Sequence, residues 1–515
     1  MTFFQKLFLF AFAPLAAFVV LREYSPGLFR ALEDAIQPYI AGSPFSQYFG
    51  ERPFARSEIP LLVSSVSHQS HFEKMGAIAA ALAELGHPVT FICGKVFEDA
   101  VNKLHPNINF YPFQGLDDKL SEEDLAYWMS LPSGVEAEIW VTTKVIVEGA
   151  PDAHNTYQAY FKEFKEKYGN DKPLISLYDQ TVAGHQTFLL GVPGIKPDVS
   201  IGISVMPLLV HSNDTYPART GKKPHQGPNA RAIHQRAYDG HGDQYEWEIS
   251  KAWWAKLREM GSTRDDFPQI LDGMNRVPDH LITMGVPEFE FPRTDLGFDL
   301  RYFGALRKVQ KKSSATPDLP TWWDDLQQAK EKGRKIVAVS QGTVETKPEE
   351  LILPTLEALK GRDDVLVIAT FYLYEPEEVE GLVVPDNARV SKYIPHDELL
   401  PFVDVMVANG GYGAVQKCLM SGIPMVISGV GQDKAVVGAL ADFTGVGINL
   451  EAQEPGAERI KEAVEKILNE PSYRTKAKEL SKAYDRYDMQ REFDSLVQDV
   501  VRDWQKKRKS VTKDL

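Results

Sequence analysis

The alternation of buried strands with amphipathic helices constrains this chain more than any other feature of its sequence. The segment IPLLVSSV, which begins at Ile59, is typical of a short buried strand, and Val89 to Cys93 is typical of another. Between them, Phe72 to Leu85 has apolar residues at helical spacing and is followed by Gly86, a common helix terminator. Strands of a parallel sheet are covered on both faces and are therefore apolar throughout. We predict a β-α-β unit here.

A second alternating region begins at Arg334. It contains the strand IVAVS, three further apolar strands at 365–369, 403–408 and 424–428, and a helix at 412–420. Residues 305–320 separate the two regions and are polar, poor in apolar side chains and contain proline, as linkers do. The predicted fold class is α/β, with two Rossmann-like doubly wound domains that face a cleft.

Composition excludes several other classes of protein. A chain of 515 residues has room for two or three domains, and 43% hydrophobic with 25% charged residues is ordinary for a globular protein. The net charge of −14 argues against a nucleic-acid partner, which requires a basic face. The two cysteines, Cys93 and Cys418, are too few for a disulfide framework or a zinc site.

The first residues form a hydrophobic segment of a different kind. Leu7 to Leu21 is apolar throughout and has no polar face, so a core helix is a weak interpretation. No A-x-A cleavage pattern closes the segment, which favours a retained membrane anchor over a cleaved signal peptide. We expect an anchor or signal over 1–22 and a connector over 23–56.

Common catalytic motifs are missing from the sequence, including the phosphate loop, G-x-S-x-G, H-E-x-x-H and G-x-G-x-x-G after a strand. His68 and His71 form an H-x-x-H pair without a matching third ligand, so no metal site is predicted. His71 follows the first strand, at the carboxyl edge where open α/β sheets bind ligands. A neutral histidine there can accept a proton, although a solvated residue beside a helix cap is the commoner explanation for a single histidine in this position.

A carboxylate and two glycine-containing loops occupy comparable positions. Asp179 comes directly after the strand LISLY, where it either orients His71 or caps the next helix. Asn409-Gly410-Gly411 follows a strand and opens a helix, so its N–H groups can hold a diphosphate, although glycine turns also occur for steric reasons. Ser340 to Thr343 ends the first strand of the same domain and faces the same crevice.

With these segments in order along the chain, the sequence resembles the family 1 glycosyltransferases, which transfer sugar from a nucleoside diphosphate sugar to a lipophilic hydroxyl. The resemblance covers about residues 59 to 500 and rests on SHFEKMGAIAAALAELGHPVTF, LYDQTVAGHQTFLLGVPGI, VSQGT and residues 393–434. NGGYG followed by a G-x-x-DK loop is most similar to the fungal branch that includes the sophorolipid glucosyltransferases. The implied fold is GT-B, with the last helix returning to the first domain.

The resemblance also implies a role for individual residues. His71 becomes the base that deprotonates the acceptor hydroxyl, and Asp179 stabilises the imidazolium that forms. The helix terminus neutralises the diphosphate, so neither a metal ion nor a cofactor beyond the UDP-sugar co-substrate is expected. The implied donor contacts are Tyr393 and His396 at the uracil, Asn409, Gly410 and Gly411 at the diphosphate, Gln341 and Thr343 in the loop near phosphate or sugar, and Gln432 and Asp433 at the sugar hydroxyls.

Three positions depart from the family pattern. Asn409 replaces a common histidine, Ala414 replaces a common serine, and Lys417 stands where an acidic ribose ligand is usual. Gln416 is a candidate to replace that ligand. These departures affect the identity of the donor rather than the reaction class.

The expected function is therefore an inverting, metal-independent transfer of a hexose, with glucose the expected sugar, from a UDP-sugar to a lipophilic hydroxylated acceptor. The alternatives are a UDP-sugar epimerase on the same fold and a non-catalytic sugar-nucleotide or lipid-binding membrane protein. The expected domains are an acceptor domain at 57–304, the linker, a nucleotide-sugar domain at 321–485, a returning helix at 486–507 and a basic tail at 508–515.

Location is a separate expectation. The hydrophobic segment predicts a single-pass anchor in a membrane of the endoplasmic reticulum type, and the basic tail favours a cytosolic catalytic face. The sequon Asn213-Asp214-Thr215 would instead be glycosylated in a lumenal domain.

Overall fold

The computed structural model describes residues 54–115, 120–132, 134–239, 243–305, 319–342 and 347–513. The hydrophobic segment Leu7 to Leu21, residues 306–318 of the linker, and Thr343 lie outside these ranges. Within the ranges described, no helix combines the length and the apolarity that crossing a bilayer requires.

Seven parallel strands form the first sheet, in the order β3-β2-β1-β4-β5-β6-β7. Strands β1 and β4 are buried along their whole length, as the apolar segments predict for a sheet covered on both faces. The strands are β1 Leu61–Ser64, β2 Val89–Cys93, β3 Ile108–Pro112, β4 Ile175–Asp179, β5 Val199–Ser204, β6 His280–Thr283 and β7 Leu300–Tyr302.

Helices connect these strands and supply much of the cavity wall described below. A π-helical turn, Thr143–Val147, continues directly from the helix Val135–Thr142. The helices are α1 Gln69–Glu84, α2 Glu98–Asn102, α3 Glu122–Ser130, α4 Val135–Thr142, α5 Ala150–Tyr168, α6 Ala183–Leu189, α7 Ala230–Asp239, α8 Gln244–Glu259 and α9 Ile270–Arg276.

The strand order of the first sheet reverses between β1 and β4. These two strands pair directly in parallel register, from Leu61 opposite Ile175 to Ser64 opposite Tyr178. Their carboxyl ends therefore lie side by side, and the crevice at such a reversal is where open α/β sheets bind ligands. This pairing is the reason that residues following β1 meet residues at the end of β4.

Six parallel strands form the second sheet, in the order β10-β9-β8-β11-β12-β13. Its reversal lies between β8 and β11, where Ser340 pairs with Ala408. The loops that follow β8 and β11 therefore begin next to each other. The strands are β8 Lys335–Ser340, β9 Val365–Thr370, β10 Ala388–Ser391, β11 Val405–Ala408, β12 Met425–Ile427 and β13 Gly447–Asn449.

The helices of this second half are α10 Asp324–Glu331, α11 Pro348–Leu359, α12 His396–Leu399, α13 Tyr412–Met420, α14 Lys434–Thr444, α15 Ala457–Asn469, α16 Pro471–Tyr484 and α17 Met489–Lys513. One apolar core contains side chains from both halves, including Trp253 and Phe289 from the first and Val415 and Val437 from the second. Its burial holds the two sheets together in one unit, Pro60–Leu496.

The start of the last helix, α17, contacts the first half of the chain. The Phe493 ring lies edge-on to Phe303 at 4.8 Å between centroids, and the Gln490 amide donates to the Ala81 carbonyl at 3.0 Å. The remaining described residues, 54–59 and those from Val497 onward, belong to a second unit, in which Phe54 and Trp504 lie 6.5 Å apart.

Candidate active site

A cavity of about 1700 Å³ is lined by residues that follow the reversal points of both sheets. His71, Lys74 and Thr181 reach it from the first sheet, and Asn409 and Asp433 reach it from the second. The ligand-binding crevices of the two doubly wound sheets therefore open into one space, large enough for two small-molecule substrates.

His71 and Asp179 form a hydrogen-bonded pair although they are 108 positions apart in the sequence. The Nδ1 atom of His71 lies 2.6 Å from the Oδ2 atom of Asp179, the histidine is 18% exposed and the aspartate is fully buried. His71 lies in the first turn of α1, and Asp179 is the last residue of β4. The parallel pairing of β1 with β4 brings them together.

The surroundings of Asp179 determine which nitrogen of His71 is free. Burial by itself would raise the pKa of this carboxyl, but the His71 ring and the hydrogen bonds from Thr181 hold it below its usual value. An ionised carboxylate can only accept, so Nδ1 of His71 donates to it, and in the neutral ring Nε2 is the nitrogen with the lone pair. His71 itself lines the cavity.

The two oxygens of Asp179 have separate partners. Oδ2 accepts from His71, whereas Oδ1 accepts from the Thr181 backbone N–H at 3.0 Å and from its hydroxyl at 2.7 Å. The local turn occupies one oxygen and leaves the other for the histidine. The alternative interpretation, in which Asp179 caps the next helix, is wrong. The helix itself begins later, at Ala183, after Val182 as its cap.

The companion histidine, His68, is exposed and lies edge-on to His71, 5.6 Å away between ring centroids. In the part of the chain that the structure describes, no group of three His, Cys, Asp or Glu side chains is arranged to hold a metal ion.

The glycine turn after β11 presents the amino end of a helix to the cavity. Gly411 is the residue before α13, Asn409 is buried, and its Oδ1 accepts from the Gly411 N–H at 3.4 Å. A Cβ placed on Gly342 would lie 3.4 Å from Nδ2 of Asn409, so the loop after β8 runs directly alongside. Gln341 lines the cavity from that loop.

The backbone requires glycine at position 410 but not at position 411. Gly410 has a φ of 90° and a Cβ there would lie 2.9 Å from Ile427 Cγ2, so the fold requires glycine. Gly411 has a φ of −57°, which any residue adopts, and a Cβ there would approach only Oδ1 of Asn409 at 3.7 Å. A side chain at Gly411 would therefore project into open space.

Tyr393 and His396 form another part of the wall. Tyr393 is 57% exposed, and its ring lies 6.4 Å from that of Tyr372 in an edge-on arrangement. Burial, with a smaller contribution from the Lys417 cation, lowers the pKa of His396 to about 4. An open aromatic face therefore stands next to a histidine that is neutral at physiological pH.

Gln432 and Asp433 lie on the loop before α14. Asp433 precedes the helix but does not cap it with its side chain, and burial raises the pKa of its carboxyl. Gln432 has a φ of 52°, unusual for a residue with a side chain, and its amide oxygen accepts from Lys434 at 3.0 Å. Both residues line the cavity.

An ion pair from the first half of the chain holds this loop, and sequence reasoning missed it. Glu138 accepts from the Gln432 N–H at 3.2 Å, and Arg219 donates to the Gln432 carbonyl at 3.0 Å. Arg219 also pairs with Glu138 at 2.5 Å and stacks on the Tyr245 ring at 3.8 Å. No local motif could have revealed contacts between residues 294 positions apart.

Gln416, considered above as a ribose ligand, instead donates to the main-chain carbonyl of Met284. Part of the cavity wall on the side of the first sheet is apolar. This apolar wall consists of Val141, Val145, Ile146, Leu209, Ile249, Leu271, Met274 and Met284.

Comparisons with known proteins match this description. Residues 355–486 match the family "Erythromycin biosynthesis protein CIII-like, C-terminal domain". UDP-glycosyltransferase 2 of Phaeomoniella chlamydospora is 31% identical over 436 residues, which are 83% of this chain and 92% of the relative. UDP-glucosyltransferase A1 of Starmerella bombicola is 29% identical over 82% of this chain and 88% of its own.

Among solved structures, the glycosyltransferase of kitacinnamycin has the same fold, with a TM-score of 0.60 and 17% identity over 87% of this chain and 100% of that one. Two Rossmann-like parallel sheets that share one crevice define the class of GT-B glycosyltransferases. This chain belongs to the UDP-glycosyltransferase family within that class, and it is an enzyme.

The two glycines of the turn provide a first test of the donor side. Gly411→Val should leave thermal stability unchanged and weaken UDP binding by about 1–3 kcal/mol, because its side chain enters the space at the helix terminus. Gly410→Val should lower the melting temperature instead, since its backbone disfavours a side chain. Titration calorimetry and thermal unfolding of both variants give the comparison. Undiminished UDP affinity in a folded Gly411→Val protein would contradict this assignment.

Proposed function

We propose that this enzyme transfers glucose from UDP-glucose to a hydroxyl of a lipophilic small molecule, with inversion at the anomeric carbon. The observation that carries the proposal is the His71–Asp179 pair, 2.6 Å apart, in the same cavity as the amino end of α13. The names of the relatives support UDP as the nucleotide and glucose as the sugar.

His71 acts as general base in the proposed reaction. Its Nε2 takes the proton from the acceptor hydroxyl while the acceptor oxygen bonds to the anomeric carbon. The bond from that carbon to the β-phosphate oxygen breaks in the same displacement, and its electron pair stays on that oxygen as UDP leaves. Asp179 stabilises the imidazolium that forms and keeps Nδ1 protonated, which leaves Nε2 as the acceptor atom.

The second half of the chain binds the donor in this proposal. The exposed Tyr393 ring is suited to stack on uracil, and the neutral His396 can form a hydrogen bond to the base without a charge penalty. Asn409, Gly410 and Gly411 present the amino end of α13 to the diphosphate. Thr343, outside the described residues, keeps the phosphate or sugar contact that the family resemblance implies.

Gln432 and Asp433 contact the sugar hydroxyls. The Glu138–Arg219 pair supports this assignment, because it fixes the backbone of Gln432 in a conformation that a free loop would rarely adopt. Residues of the acceptor side thereby hold the sugar-binding loop in place. Asp433 does not cap its helix, which is consistent with a carboxylate that serves the ligand.

The reaction requires no metal ion and no cofactor in this proposal. The partial positive charge at the amino end of α13 and two lysines that line the same cavity, Lys417 and Lys434, can offset the charge of the departing diphosphate. In many phosphoryl and glycosyl transfers a divalent cation has this task.

The acceptor is expected to be lipophilic because of the apolar wall defined above. Hydrophobic side chains there would bury the body of an alcohol, phenol or hydroxy acid while its hydroxyl reaches His71. An epimerase would not need this second, apolar compartment, and a protein that only binds sugar nucleotides would not need the His71–Asp179 pair.

The base assignment is tested by two substitutions. His71→Ala should lower kcat about 10²- to 10⁴-fold, the usual contribution of a positioned general base. Asp179→Asn should also lower kcat, because an amide can donate to Nδ1 and shift the ring hydrogen to Nε2. The measurement is UDP release in the presence of acceptor, with UDP affinity as a check on folding.

A matched control exists in the first sheet. His280 forms a similar pair with Asp299 at 2.5 Å but does not line the cavity, so His280→Ala should keep kcat within a few-fold of wild type. Wild-type turnover in a folded His71→Ala enzyme would remove His71 from the mechanism.

We also propose that Leu7 to Leu21 anchors the enzyme in a membrane of the endoplasmic reticulum type with the catalytic face in the cytosol. The support is the uninterrupted apolar sequence and the basic tail. The enzyme should sediment with membranes after a salt wash. The exposed Asn213 should show no endoglycosidase shift. Full-length enzyme in the soluble fraction, or a shift lost on Asn213→Gln, would overturn the respective part of this proposal.

A further inference from the structure

Lys74 occupies a position that the mechanism above does not explain. It lies three residues after His71 on α1, on the same face of the helix, and lines the same cavity. Its ammonium lies 5.8 Å from the centroid of the Tyr412 ring. A Cβ placed on Gly413 would lie 3.7 Å from Nζ. Lys74 therefore extends from the acceptor side to the first turn of α13.

The contacts of the ammonium are few. Nζ donates to the Val205 carbonyl at 2.5 Å, and within the described ranges no carboxylate forms an ion pair with it. An ammonium has three donor hydrogens, so two remain for a ligand. Burial lowers the pKa of Lys74 to about 8, partly opposed by Asp433, Asp179 and Glu73, while Lys417 lowers it further.

The location of this cation is electrostatically unfavourable in the absence of a ligand. The amino end of a helix carries partial positive charge and normally attracts acidic side chains, not lysine. A lysine and a helix amino end that face each other both favour an anion between them. The diphosphate of the proposed donor is such an anion.

We propose that Lys74 binds the diphosphate of the UDP-sugar from the acceptor side and stabilises the negative charge on the departing UDP. This inference rests on the proposed donor site. When the bond from the anomeric carbon to the phosphate oxygen breaks, the electron pair stays on that oxygen, and the ammonium of Lys74 offsets the new charge. Helix α1 then carries both the base for the acceptor and a cation for the leaving group.

If Lys74 binds the diphosphate, UDP binding should be accompanied by proton uptake. A lysine with only a structural role would show no such uptake. Above pH 8 the lysine of the free enzyme is largely neutral, whereas a bound diphosphate favours the charged form and raises its pKa. UDP binding at pH 8.5 should therefore take up a proton. UDP itself is fully ionised at that pH, since a phosphate monoester has its second pKa near 6.

The experiment is calorimetric titration of the full-length enzyme with UDP at pH 8.5 in two buffers that differ in ionisation enthalpy. Lys74→Met should bind UDP about 10- to 100-fold more weakly and without proton uptake, because a charge-assisted hydrogen bond is lost. Lys74→Arg should keep affinity within a few-fold but lose the uptake, since arginine does not titrate. Affinity for uridine, which has no phosphate, should be unchanged in both.

Two further variants separate charge from structure. Lys162→Met removes an exposed lysine on α5 and should match wild type in affinity and proton uptake. Lys74→Gln keeps a donor for the Val205 carbonyl without the charge, and it should bind UDP as weakly as Lys74→Met. Wild-type affinity for UDP in the Lys74→Gln variant would show that Lys74 has only a structural role.

The outcomes distinguish this inference from the proposed function. Equal UDP affinity and proton uptake in folded Lys74→Met and wild-type enzymes would overturn the inference and leave the donor site intact. Absence of UDP binding to the wild-type enzyme would overturn the proposed donor site itself.

Discussion

Parallel pairing at two strand reversals is the constraint on which the site depends. Strand β1 pairs with β4 and β8 pairs with β11, so the chain segments that leave these strands emerge at one edge of each sheet. The strands themselves are mostly apolar and buried. The polar side chains of the site therefore lie at the ends of the strands and on the segments that follow. The backbone hydrogen bonds of the two sheets thus determine the positions of His71, Asp179 and Asn409 before any ligand is bound.

The site combines the negative charge of Asp179 with several positive charges. Asp179 is kept ionised by His71 and Thr181, and its negative charge favours a cationic ring next to the acceptor. The lysines that line the cavity and the amino end of α13 favour an anion. A reaction that moves a proton to one side and negative charge to the other is stabilised by this arrangement on both sides.

Sequence alone could predict the residues that directly follow buried strands, since an apolar run with a turn after it is visible locally. His71, Asp179 and the glycine turn at 409–411 are of this kind, and the two sheets were predicted for the same reason. Lys74 and the contacts of Glu138 and Arg219 with Gln432 depend on how the two halves of the chain approach each other. The spacing of apolar residues along the sequence carries no information about how the two halves of the chain approach each other. The bond from Gln416 to the Met284 carbonyl likewise joins residues that are far apart in the sequence.

Inverting transfer from UDP-glucose to a lipophilic hydroxyl is the proposed reaction. Its most direct test is nuclear magnetic resonance of the products formed from UDP-α-glucose and a panel of long-chain alcohols, hydroxy acids and phenols, with EDTA present. We expect a β-glucoside and one UDP for each glycoside formed. An α-glucoside, or conversion of UDP-glucose to another UDP-hexose without release of UDP, would contradict it.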